Sequence, residues 1–164
     1  MSIKKIVLVV LFFASLSLAA SIYSRDKVYF LCPIEYKGDI IVRNYTRGDG
    51  FFASPRSGKR LHNGIDLLAE VGTPVRAARS GRVIAATSNN GMGNFIRIQH
   101  ADTMVTLYGH LSAIYVSNNQ RVRQGQVIGA VGKTGNARYR DMLAHLHFEV
   151  RKDGILQDPS GYLK

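Results

Sequence analysis

Between His145 and Val150 the sequence reads His-Leu-His-Phe-Glu-Val. As a strand, it would project His145, His147 and Glu149 to one face and Leu146, Phe148 and Val150 to the other. The apolar face is core and the histidine face is chemistry. Imidazoles two residues apart stand roughly 6.6 Å apart along a strand, so one can hold a metal while the other handles protons. Upstream, His62 and Asp66 bracket Asn63-Gly64-Ile65. A straight strand would separate their Cα atoms by about 13 Å, too far to share one ion, and Gly64 opposes a helix. A bend at Asn63-Gly64 remains, with the histidine on a loop and the aspartate opening a strand. His62, Asp66 and His147 then offer two imidazoles and one carboxylate, a set that suits tetrahedral zinc with its fourth position open to water. No cysteine belongs to this set, which favours a catalytic over a structural zinc. His145 is left on the face of His147, and His110 closes Leu107-Tyr108-Gly109-His110. Glu149 either orients a ligand from behind or is a solvated surface residue. Tyr108 and Arg82 are candidate groove residues, and His100, at the end of a different strand, is read as structural.

Short strands must position these groups. Ile65–Leu68, Pro74–Ala78, Arg82–Ala86, Phe95–His100, Met104–His110, Val127–Val131 and His145–Val150 are the candidates, separated by turn signals such as Ser80-Gly81 and Ala101-Asp102. Helical period is absent, apart from a short stretch left open at Asp141–Ala144. The 16 glycines fit many tight turns, and the pattern predicts an antiparallel all-β domain. Residues 22–38 read as a short linker, and residues 39–60 as loop.

Lys4 and Lys5 precede an apolar run, and the segment from Ile6 to Tyr23 carries no charge. With small residues closing it, residues 1–21 have the parts of a secretory signal peptide, and the run also reaches the lower edge of a membrane span. Cleaved leader and uncleaved anchor both place the remaining chain outside the cytoplasm. Cys32 is the only cysteine, so no intrachain disulfide is available, and a buried thiol is expected. The formal charge is +11, and removing the leader takes two lysines and no acid, leaving +9. Such a protein suits a polyanionic partner, and anionic wall polymer or membrane surface comes before nucleic acid, for which no motif is present.

His-x-x-x-Asp, Tyr-Gly-His-Leu-Ser and His-Leu-His-Phe-Glu-Val, in that order, resemble the M23 family, the lysostaphin- and LytM-type zinc metallopeptidases. The likeness extends from about Asp39 to Leu163 and includes Gly72-Thr73-Pro74-Val75 and Val127-Ile128-Gly129. It implies a compact antiparallel β fold of the lysostaphin type with one zinc in a groove. It also implies His62, Asp66 and His147 as ligands and His110 and His145 as catalytic histidines. On that likeness the chain is expected to be an exported endopeptidase acting on peptide cross-links or stem peptides of peptidoglycan. The direct D,D-cross-link is favoured, because no wall-binding appendage is recognisable. The short approach to the domain leaves little room for a self-inhibiting segment, so an open groove is expected. Two other readings stand beside this one. One is a non-catalytic wall-binding or hydrolase-activating module of the same fold. The other is a lipoyl-like carrier using Lys133, which would leave the histidines without a role.

Overall fold

The computed structural model describes residues 29–45 and 48–164, so the leader expected over residues 1–21 lies outside the described residues. No helix among those described is long and apolar enough to cross a membrane. The strands in chain order are β1 (Asn44–Tyr45), β2 (Gly48–Asp49), β3 (Ile65–Leu68), β4 (Pro74–Arg76), β5 (Gly81–Asn89) and β6 (Gly93–Gln99). After them come β7 (Met104–Leu111), β8 (Ala113–Ile114), β9 (Arg121–Val122), β10 (Val127–Ala130), β11 (His145–Lys152) and β12 (Ile155–Gln157). Single 3-10 turns occur at Ser57–Lys59, Gly135–Ala137 and Pro159–Gly161. Asp141–Ala144 is turn and irregular chain.

The main sheet has the order β12-β11-β7-β6-β5-β9, with β3 adding to β11 beside β12. A smaller sheet, β4-β10-β8, packs with it, and β1-β2 is a separate ribbon. All these named strand pairs are antiparallel. The all-β expectation therefore holds, and the core strands lie where alternation put them.

The reason is visible in β11. Leu146, Phe148 and Val150 have no exposed surface and face Ile65, Leu67, Ile96, Ile98 and Tyr108 in one apolar cluster. Each fully buried side chain of this size contributes about 1.5–3 kcal/mol. That burial fixes the register, because a one-residue slip would turn the histidines into the core. Two backbones also approach too closely for a side chain. A Cβ on Gly64 would lie 2.2 Å from the Phe148 carbonyl oxygen, so only glycine lets the chain bend into β3 against β11.

The stretch expected as a linker differs from Phe30 onward. Phe30 and Ile34 are buried in the core, and Phe30 bridges to Leu163 in parallel. These apolar residues carry no strand period, so their burial was not readable from spacing. Cys32 is half-buried rather than fully buried, packing against the same cluster, and burial pushes its thiol pKa up, partly offset by a backbone hydrogen bond from Ile34.

Candidate metal centre

Asp66 stands on β3 directly opposite His147 on β11, and the bend at Asn63-Gly64 brings His62 back over both. Asp66 Oδ1 lies 2.9 Å from His147 Nδ1 and 3.0 Å from His62 Nε2. The two ring nitrogens are themselves 3.0 Å apart. All three residues are buried. His145 and His110 complete the cluster. His145 Nε2 is 3.8 Å from Asp66 Oδ1, and the His110 ring lies 5.0 Å from that of His145 and 5.7 Å from that of His147. The five residues predicted from sequence thus meet in one groove of about 1010 Å³, walled by Leu61, Met92, Asn136 and Met142.

Backbone carbonyls set the tautomers, because a carbonyl can only accept. Nδ1–H of His62 donates to Phe51 O at 2.8 Å, that of His110 to Thr134 O at 3.0 Å and that of His145 to Leu143 O at 2.7 Å. Each of these rings therefore turns a bare Nε2 toward the groove when neutral. His147 is reversed, with Nδ1 facing Asp66 and Nε2 lying 3.3 Å from Glu149 Oε1. Glu149 is buried and held in turn by Arg151 at 3.1 Å. It is therefore no surface residue, and it fixes the ring of His147 as an outer carboxylate fixes a metal-binding imidazole.

The electrostatics ask for a cation. Burial would lower the pKa of His147, yet hydrogen bonds and charge from Asp66 and Glu149 raise it to about 9. Burial would raise the pKa of Asp66, but its hydrogen bond with His147, the adjacent His62 and the charge of His147 hold it well below the usual carboxylate range. A proton on His147 thus stands where a metal ion would balance the same carboxylates. Nitrogen and oxygen donors that converge this closely, with sulfur absent, fit zinc; His62, Asp66 and His147 form a set able to hold a metal. His110 and His145 shift the other way, toward the neutral form. Burial, then the neighbouring histidines His147 and His145, lowers His110 to about 3, and burial lowers His145.

His110 reaches the groove by breaking alternation. On β7 its parity belongs to Tyr108, which faces the core, but its φ of 63° turns the side chain to the opposite side. A non-glycine residue held there costs on the order of 1–3 kcal/mol. Gly109, paired with His147, leaves the floor of the groove clear beside it.

Two candidate groove residues move elsewhere. Tyr108 is fully buried in the core, with its hydroxyl taking the Ala78 N–H at 2.9 Å, because its parity on β7 is that of Phe148's side of the sheet. Arg82, the second residue of β5, lies at the far end of the sheet and lines a different cleft. His100 is structural, bonded to Ser80 O and Thr106 Oγ1.

Sequence reasoning missed two arginines. Buried Arg43 holds the outer oxygen of Asp66, Oδ2, through Nη2 at 2.9 Å and Nε at 3.3 Å. Arg56 Nη2 stands 3.6 Å from the same oxygen and, among the described residues, has no hydrogen-bond partner. Oδ1 is left to face the histidines. The backbone reinforces this, with Arg43 N–H donating to Asp66 O and Asp66 N–H to Gly50 O, both at 2.8 Å. Nothing in the sequence distinguishes these two among 22 basic residues.

Comparison with known proteins gives the family. A peptidoglycan DD-endopeptidase of Vibrio cholerae serotype O1, ShyC, is 41% identical over 100 residues, covering 61% of this chain and 22% of that protein. The chain thus spans about a fifth of the length of that relative. Among solved structures, the catalytic domain of lysostaphin from Staphylococcus simulans superposes with a TM-score of 0.60 at 32% identity, covering 69% of this chain and 87% of that one. A chain of the SpoIIQ–SpoIIIAH pore-forming complex superposes with a TM-score of 0.67 at 27% identity, covering 83% and 91%. Residues 60–159 match the family model of peptidase family M23, and the chain belongs to that family.

Proposed function

We propose that the protein is an exported zinc endopeptidase that hydrolyses peptide cross-links or stem peptides of bacterial peptidoglycan. In this reading His62 and His147 hold one zinc with Asp66 Oδ1, while His110 and His145 act on the substrate. The observation that carries it is the convergence of three ligand atoms with two further histidines whose Nε2 atoms are bare, all on one groove wall.

Zinc in such a site supplies Lewis acidity, lowering the pKa of water toward about 7 and polarising a carbonyl. The chain's own groups do the rest. The Nε2 of His145 and the Nε2 of His110 can each accept a proton from the attacking water, return it to the leaving amine or donate to the developing oxyanion. The two carbonyls behind them, Leu143 O and Thr134 O, keep both rings aimed through these exchanges. The groove's apolar walls, Leu61 and Met142 among them, shed water from an extended peptide.

The leader over residues 1–21, cleaved or kept as a membrane anchor, delivers the domain to the cell envelope. The direct D,D-cross-link is the favoured bond, supported by the DD-endopeptidase relative. The test offers D,D-cross-linked and glycine-bridged muropeptide dimers to the protein. Cleavage of the D,D-dimer that chelator abolishes and zinc restores is expected, and cleavage of the glycine bridge alone would overturn the bond assignment. A second reading, a partner-binding module without catalysis, draws on the likeness to a chain of a protein complex. It predicts zinc binding with neither dimer cleaved.

A further inference from the structure

We propose that the end of the main sheet opposite the metal centre docks on an anionic phospholipid surface through Arg82, Arg121 and Arg123. These three exposed arginines line a cleft of about 710 Å³ together with Gln99, His100 and Gln126. None of the described residues lining it is acidic. Asp102, next in the chain to Ala101 of the cleft wall, is already paired with Arg79 at 3.4 Å.

Strand pairing concentrates the charge. Arg82 on β5 and Arg121 on β9 are direct cross-strand partners, an arrangement in which like charges repel. A phosphate between them removes that repulsion, and guanidinium groups meet phosphate oxygens with two parallel N–H bonds. Buried His100 does not compete for the ligand as an open donor, since its ring nitrogens are bonded to Ser80 O and Thr106 Oγ1.

The path of the chain names the source of phosphate. The first described residues lie at this end: Gln124 Nε2 donates to Tyr29 O at 2.9 Å, and the Phe30 ring packs 5.8 Å from that of His100. The uncharged run from Ile6 to Tyr23 ends six residues before Tyr29. Six steps of extended chain reach at most about 20 Å. A membrane holding that run would therefore lie close to the arginines. The metal centre is at the other end of the same strands. Gly81 borders the basic cleft, and Asn89, at the far end of β5, lines the groove, roughly 26 Å away at about 3.3 Å per residue. Docked this way, the domain turns its groove outward from the bilayer. The proposal relies on the envelope reading for its purpose, but vesicle binding is scored without cleavage, so either can fail alone.

The test is cosedimentation of the full chain with vesicles of phosphatidylcholine alone, or mixed with phosphatidylglycerol. The parent is compared with Arg82→Gln/Arg121→Gln/Arg123→Gln and with Arg138→Gln/Arg140→Gln near the groove, all sharing the same apolar run. Thermal midpoints report folding. The parent is expected to favour the mixed vesicles, and the triple variant to lose about a hundredfold in partitioning, roughly fivefold per arginine. The control variant should bind like the parent. Equal partitioning of parent and triple variant, or no preference of the parent for anionic lipid, overturns the proposal. Binding of soluble polyphosphate without binding to the mixed vesicles also overturns it, and assigns the cleft to an anionic wall polymer. Should the triple variant unfold, Arg121→Gln/Arg123→Gln carries the test, with about a twenty-five-fold loss expected and parent-like partitioning refuting it.

Discussion

Gly64→Ala should damage the metal centre from outside it. A methyl group there would stand 2.2 Å from the Phe148 carbonyl oxygen, 2.9 Å from its carbon and 3.2 Å from Glu149 Cγ. The first contact is with backbone, so no flexible side chain can swing away. Restoring a carbon–oxygen separation of about 3.3 Å requires β3 and β11 to part by about 1 Å. Their pairing runs from Ile65 with Phe148 through Asp66 with His147 to Leu68 with His145, so the displacement arrives at two of the three proposed ligands. A functional constellation tolerates about 0.5 Å. Zinc affinity should therefore fall by roughly tenfold to a hundredfold, the range seen when a ligand loses its support. Overpacking should cost about 1–3 kcal/mol in stability. Urea unfolding of the metal-free protein gives the second quantity, and competition with a chromophoric chelator gives the first. Gly38→Ala is the control, because a Cβ there meets nothing within 4 Å. Parent-like zinc affinity and an unchanged urea midpoint in Gly64→Ala would refute the reasoning.

Other changes probe the surroundings of the site. Arg43→Met frees the outer oxygen of Asp66 and should lower zinc affinity about tenfold to a hundredfold; chelator competition showing affinity within a factor of about three would dismiss Arg43 as a positioning residue. Glu149→Gln, read by the same titration, should weaken zinc to a similar degree by loosening the ring of His147. Tyr108 gives a pH test, because burial raises its pKa to about 12 despite its bonds to Thr106 and Ala78. An unfolded tyrosine titrates near 10. Above that pH the unfolded state releases a proton that the folded state keeps, so this contribution falls by about 1.4 kcal/mol per pH unit up to about 12. Tyr108→Phe should be less stable than the parent at neutral pH by about 1–3 kcal/mol, having orphaned the Ala78 N–H, and the gap should close through that alkaline window. Urea midpoints of both proteins across it decide the matter. Cys32, with its raised pKa, should alkylate more slowly in the native protein than in urea, since the thiolate is the nucleophile.

Much of this arrangement is legible in the sequence. Alternation in β11 separates His145, His147 and Glu149 from Leu146, Phe148 and Val150, and a period of two survives burial on both faces. The bend at Asn63-Gly64 followed from distance alone, since a straight chain could not bring His62 to Asp66. His110 shows where pattern ends. Its φ of 63° reverses the face that alternation assigns, and only the resemblance to a family pointed to it. The same parity rule sends Tyr108 into the core, where it had been expected at the groove. Arg43 and Arg56 were illegible, because ion pairs to Asp66 from 23 and 10 residues away in sequence leave no local period. Phe30 and Ile34 were missed for a related reason, as their burial depends on the returning C-terminal segment at Leu163 rather than on neighbours in sequence.

The claim that His62, Asp66 and His147 hold the metal while His110 and His145 perform the chemistry is tested most directly by one paired measurement. Bound zinc and peptide release from purified peptidoglycan are determined together for the parent, His145→Ala and His147→Ala, with products identified by mass. The account predicts one zinc and cleavage for the parent, one zinc without cleavage for His145→Ala, and neither for His147→Ala. Cleavage at the parent's rate by His145→Ala, or zinc retained at full occupancy by His147→Ala, would contradict it.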